Sequence, residues 1–69
     1  MKIPQKITES TYEGKTFAEI TASLGEPFRT VSSPNVTLRL WQDAERYLIL
    51  IFTPDDVCFC LFDEGVLAR

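Results

Sequence analysis

Two apolar runs, Tyr47–Phe52 and Val57–Phe62, stand almost back to back in the sequence, with Thr53-Pro54-Asp55-Asp56 between them. Each is far shorter than the roughly 20 apolar residues that a helix needs to cross a bilayer. Pro54 keeps the two from joining into one helix, and Pro-Asp-Asp is the chemistry of a tight turn. The runs therefore predict two strands of a hairpin. Because every position in them is apolar, both faces of their sheet are oily, and a fold built on that sheet must cover two faces or leave one open.

The other elements follow from local pattern. Val36-Thr37-Leu38-Arg39-Leu40-Trp41-Gln42 alternates with period two and predicts a strand, followed by the polar turn Asp43-Ala44-Glu45-Arg46. Phe28–Ser32 forms a short first strand before the breaker Ser32-Ser33-Pro34-Asn35, and Asp63-Glu64-Gly65 turns the chain before Val66-Leu67-Ala68. Thr16-Phe17-Ala18-Glu19 is a capping box, in which the Thr16 hydroxyl and the Glu19 carboxylate satisfy each other's backbone N–H groups. Phe17, Ile20 and Leu24 then make one apolar stripe at helical spacing, Gly25 ends the helix in the left-handed conformation, and Pro27 blocks its continuation.

The chain reads as a single domain over 1–69: a lead-in or short helix over 1–15, a helix over 16–24 and an antiparallel sheet over 28–68. The fold class is α+β, with one or two N-terminal helices packed on one face of a three- to four-stranded antiparallel sheet.

A four-residue loop at Asp43–Arg46 sets Gln42 opposite Tyr47 and Leu40 opposite Ile49. One face then carries Leu38, Leu40, Ile49 and Ile51; the other carries Thr37, Arg39, Trp41, Leu48, Leu50 and Phe52. A three-residue loop at Pro54–Asp56 adds Phe59 and Leu61 to the first face, and Cys58, Cys60 and Phe62 to the second. A two-residue loop reverses that last assignment. One short helix covers one face, and Arg39 and Thr37 direct it to the Leu38 side. The expectation is an open face around Trp41, with Arg39, Trp41, Leu48, Leu50, Phe52 and Phe62 as a protein interface and Trp41 as its anchor. The alternative is that Ile3, Ile7 and Tyr12 fold back over it.

Gly14-x-Thr16-x-x-Glu19-Ile20-x-x-x-Leu24-Gly25-x-Pro27, followed by a strand around Trp41, resembles the BamE/SmpA/OmlA-like family of small domains. The resemblance spans about residues 7–62 by element order. It implies two helices followed by a three-stranded antiparallel sheet, and a non-catalytic, protein-binding role; the founding members are lipoproteins of the outer-membrane β-barrel assembly machinery. The sequence departs from the family in having no signal peptide and no lipid-bearing cysteine, so the expected location is cytoplasmic. Domains of related shape also serve as secreted enzyme inhibitors.

Composition and charge narrow the function classes. Hydrophobic residues make up 45% of the 69 and charged residues 25%, a globular balance. Seven basic residues against ten acidic give a net charge of −3, and the basic ones are scattered singly between acids. Nucleic acid is therefore not the expected partner, nor is insertion into a membrane. There is no histidine, and Cys58 and Cys60, on one face of a regular strand, are expected as reduced thiols. No catalytic, cofactor-binding or metal-ligating residue is nominated: the acids of Asp55-Asp56 and Asp63-Glu64 sit in turns for backbone reasons. The expected function is a non-catalytic protein-binding or assembly module, its partner another protein or a second copy. The alternative is an inhibitor or immunity-type protein that neutralises a basic enzyme through the acidic turns Asp43/Glu45, Asp55/Asp56 and Asp63/Glu64.

Overall fold

The structure is a computed structural model that describes residues 3, 7–8 and 10–66; Leu67 and Ala68 of the expected sheet, and much of the expected lead-in, lie outside the described residues. One helix, α1 (Phe17–Leu24), precedes four strands: β1 (Arg29–Ser32), β2 (Thr37–Gln42), β3 (Arg46–Phe52) and β4 (Cys58–Val66). The strands form one antiparallel meander in the order β1-β2-β3-β4. This is the expected small α+β fold.

The capping box is complete. The Glu19 N–H donates to the Thr16 hydroxyl at 3.1 Å, and the Thr16 N–H donates to the Glu19 carboxylate at 2.9 Å. The Thr16 N–H, and the Thr16 hydroxyl donating beside it at 3.2 Å, hold the Glu19 carboxyl below its usual pKa. Such a cap contributes about 1 kcal/mol, which matters for an eight-residue helix that would not persist alone. At the other end Gly25 ends the helix as expected, but at φ 85°, ψ −168° and not in the left-handed helical conformation; only glycine occupies that region without strain, and its N–H closes the last turn on the Thr21 carbonyl.

α1 is tied to the sheet through its N-terminus. The Gly14 N–H donates to the Cys58 carbonyl, the Cys58 N–H to the Lys15 carbonyl, and the Phe17 N–H to the Asp56 carbonyl, at 2.7–2.8 Å. The segment before the helix therefore pairs briefly with the start of β4, and Thr16 bridges Val57. The β2–β3 register is the one the sequence predicts, with Gln42 opposite Tyr47 and Leu40 opposite Ile49.

β4 departs from expectation twice. Asp63-Glu64-Gly65 is not a turn; the strand runs straight through it because each residue has a place on β3. Glu64 takes an ion pair from Arg46 at 3.1 Å, Asp63 accepts from the Tyr47 hydroxyl at 3.1 Å, and the Tyr47 ring lies across Gly65. A Cβ on Gly65 would come within 3.0–3.2 Å of the Tyr47 hydroxyl and ring, so any other residue there makes the ring shift by a few tenths of an ångström.

The second departure is two register shifts. The turn is a three-residue loop, Pro54–Asp56, with Asp56 at φ 64° and the Thr53 N–H bonded to the Val57 carbonyl. Phe52 accordingly faces Cys58, but Ile51 then faces Cys60, Leu50 faces Leu61 and Ile49 faces Asp63. The ladder skips Phe59 and Phe62. Each bulge reverses which face the following residues occupy. Leu61 therefore lies on the Leu50 side and Cys60 on the Ile51 side, where a two-residue loop would have put them, while Cys58 lies on the Phe52 side, where the three-residue loop puts it. The same bulge places Cys58 and Cys60 on opposite faces, and both are free thiols.

The core lies on the Trp41 face. Trp41, Leu48, Leu50, Phe52 and Cys58 from the sheet pack against Ile20 and Leu24 of α1 and against Ile3 and Tyr12, with Ile7, Phe17 and Leu61 partly buried at its margin. This overturns the expectation that α1 takes the Leu38 face. The lead-in folds back over the Trp41 side too, so two covers share one face.

Candidate functional site

Arg39 explains why α1 takes the Trp41 face and not the Leu38 face. Its guanidinium does not seek water. It stacks 3.8 Å from the centroid of the Phe17 ring and 4.7 Å from that of Phe52, and its Nη2 pairs with the Asp56 carboxylate at 3.2 Å. The Arg39 side chain is only 12% exposed, and its Nη1 is buried with no hydrogen-bond partner among the described residues. The electron-rich ring faces supply part of what a hydrogen bond would. An arginine that looked like the polar mark of an open face is thus the edge of the core.

Beneath it Phe17, Trp41 and Phe52 form an aromatic triad with centroids 5.8–6.4 Å apart, the Phe17–Phe52 pair edge to face. The one polar atom of Trp41, Nε1, donates to the Gly25 carbonyl at 2.8 Å, at the end of α1. That bond satisfies a buried indole and an otherwise open helix-end carbonyl together.

The predicted interface is therefore corrected. Trp41, Leu48, Leu50 and Phe52 have no exposed surface, and Arg39 is engaged with Phe17, Phe52 and Asp56. Of the six residues only Phe62, one of the two skipped by the β4 register, stands exposed, at 59%. The signal that sequence reasoning passed over was size. One tryptophan and one phenylalanine beside two leucines offer more apolar surface to a helix than four aliphatic side chains do.

The uncovered surface is the reverse of the sheet. Cross-strand pairing sets Val31, Leu38, Ile51 and Cys60 in one row. The next row is Arg29, Leu40, Ile49 and Asp63, and the third is Gln42, Tyr47 and Gly65. Leu38, Leu40, Ile49 and Ile51 are each half-buried, and none belongs to the buried cluster. Val31, on the edge strand β1, is 55% exposed. The face is an aliphatic strip with a cation at one edge and a carboxylate at the other.

Several carboxylates of the acidic turns are already engaged within the chain. Asp43 accepts the Glu45 and Arg46 N–H groups at 2.8 and 2.7 Å, which, with a further backbone donor from Ile3, holds its carboxyl below the usual range. Asp56, Asp63 and Glu64 are each paired as described above. The Cys58 thiol is buried, and desolvation pushes its pKa up to about 11, the opposite of what a nucleophile needs. Among the described residues no three cysteines, aspartates or glutamates cluster as a metal site. Two shallow depressions of about 290 and 450 Å³ flank Arg46, lined by Ile3 and residues 43–46 and by Glu45, Arg46 and residues 64–66.

No family model, curated protein or solved structure matches the chain.

Proposed function

We propose that the protein is a non-catalytic binding module whose docking surface is the sheet face bearing Val31, Leu38, Leu40, Ile49 and Ile51. The observation that carries this reading is the alternation of burial along β3: Leu48, Leu50 and Phe52 are fully buried while Tyr47, Ile49 and Ile51, equally apolar in kind, are not. Apolar side chains gain nothing from an uncovered position in a monomer, and a contiguous apolar strip is the usual mark of a contact surface. The resemblance to the BamE/SmpA/OmlA-like domains points to the same kind of role. The acidic-turn alternative is the weaker one, because Asp43, Asp56, Asp63 and Glu64 already bond within the chain.

Leu40→Lys tests the reading. The variant keeps the fold, with a melting temperature within about 5 °C of wild type, because the position lies outside the core. It loses binding of the apolar dye anilinonaphthalene sulfonate. A Leu40→Lys protein that unfolds, or a wild type that binds no dye, would contradict it.

A further inference from the structure

The row Arg29, Leu40, Ile49, Asp63 has a property beyond being apolar in its middle: it is self-complementary. Arg29 stands on one edge strand and Asp63 on the other, three strand spacings apart, about 14 Å, with two aliphatic residues between them. We infer that the occupant of this face is a second copy of the chain, stacked sheet to sheet about a two-fold axis parallel to the strands. The inference rests on the reading of this face as the docking surface.

The axis follows from the pattern. A two-fold axis along the strands, midway between the stacked sheets, exchanges β1 with β4 and β2 with β3 while keeping each row in line with itself. Arg29 then meets the partner's Asp63, Leu40 meets the partner's Ile49, and Leu38 meets the partner's Ile51. Every contact occurs twice, as an isologous interface requires. An axis across the strands would instead reverse the rows and lay Arg29 against the partner's Val31, leaving a guanidinium on an aliphatic side chain. Only the first arrangement pairs the charges and keeps the apolar rows together.

Distance and area agree with it. Stacked sheets lie about 10 Å apart, a gap that a long arginine on one side and a short aspartate on the other can bridge. Arg29 is exposed and has no ion-pair partner among the described residues, while Asp63 is exposed and accepts the Tyr47 hydroxyl. Four strands by about six residues give a footprint of about 400 Å². That corresponds to roughly 1,000 Å² of accessible surface lost by the two copies together, the lower bound for a specific interface. The dimer is accordingly a weak one, its apolar rows supplying affinity and its two edge pairs the orientation.

Sedimentation equilibrium over concentrations from about 10 µM to about 1 mM tests it. Wild type should dimerise, and Arg29→Asp or Asp63→Arg alone should weaken the dimer by on the order of tenfold or more, since each sets two like-charge pairs at the edges. An equimolar mixture of the two variants should recover dimer to within about threefold of wild type, because each then carries the charge that the other lacks. Asp63→Arg also removes the acceptor of the Tyr47 hydroxyl. If that variant does not fold, Arg29→Lys, which should keep the dimer, stands against Arg29→Asp, which should lose it.

A wild type that stays monomeric throughout overturns the second copy as occupant. If dye binding is still lost in Leu40→Lys, the docking face survives and belongs to a different protein. A dimer that Leu40→Lys abolishes but charge reversal leaves alone overturns the two-fold arrangement and spares the face. A dimer indifferent to Leu40→Lys overturns both.

Discussion

The two faces of this sheet are made from nearly the same alphabet and have opposite fates. Leu48, Leu50 and Phe52 alternate along one strand with Tyr47, Ile49 and Ile51, yet the first set is sealed under α1 and the lead-in while the second is left to its sheet neighbours. Hydrophobicity alone therefore does not decide which face of a small sheet becomes core. The decision goes to the face that offers bulk, a partner for each polar atom and a way to close its rim. Trp41 supplies bulk and bonds the Gly25 carbonyl; Arg39 closes the rim by stacking on Phe17 and Phe52 and pairing with Asp56. On the reverse face the described residues show only the Tyr47–Asp63 side-chain bond between strands.

The sharpest way to break the comparison is to truncate one residue on each side. Trp41→Ala should cost about 3–5 kcal/mol, enough to unfold much of a domain this small, whereas Leu40→Ala should cost about 1 kcal/mol or less. Urea denaturation of both proteins measures the difference, and equal losses would mean that the faces are equally buried.

Arg39 comes next in size. Arg39→Ala should cost about 1–3 kcal/mol through the lost stack, stem packing and ion pair, while Asp56→Asn, which keeps a residue tolerant of positive φ, should cost well under 1 kcal/mol. If the two cost the same by thermal melting, the ion pair and not the aromatic contact is what holds Arg39.

The smallest effects concern the thiols. Cys58 lies on the covered face and Cys60 on the other, so Ellman's reagent should find one fast thiol in the native protein, absent in Cys60→Ser. Burial raises the Cys58 pKa from 9.0 to about 11. A raised pKa means stability fully present below the unfolded value and lost as pH rises through the folded one, so the melting temperature should fall between pH 9 and pH 11. Tyr12, raised by burial, and Tyr47, raised mainly by its bond to Asp63, act in the same direction at higher pH. Cys58→Val should flatten the first part of that fall; an unchanged slope would show that the thiol is not the group responsible.

Local chemistry made most of the fold legible. The capping box, the end of α1 at Gly25 and the β2–β3 register all follow from neighbours in sequence, and they stand where the pattern puts them. What could not be read were features decided by distant partners. The bulges at Phe59 and Phe62 leave no composition mark, and Asp63-Glu64-Gly65 looks like a turn until Tyr47 and Arg46 are seen across from it. The candidate site was half legible: that one apolar face would be left over was plain from two uninterrupted apolar runs, but which face depended on Arg39 choosing rings over water.

Adjacent positions on β3 give the most direct test of the faces. Ile49→Asp and Leu50→Asp place the same charge one residue apart on the same strand, pointing to opposite sides of the sheet. Far-UV circular dichroism with thermal melting should find Ile49→Asp folded, with a transition within about 5 °C of wild type, and Leu50→Asp without a cooperative transition. A folded Leu50→Asp beside an unfolded Ile49→Asp would contradict the account outright.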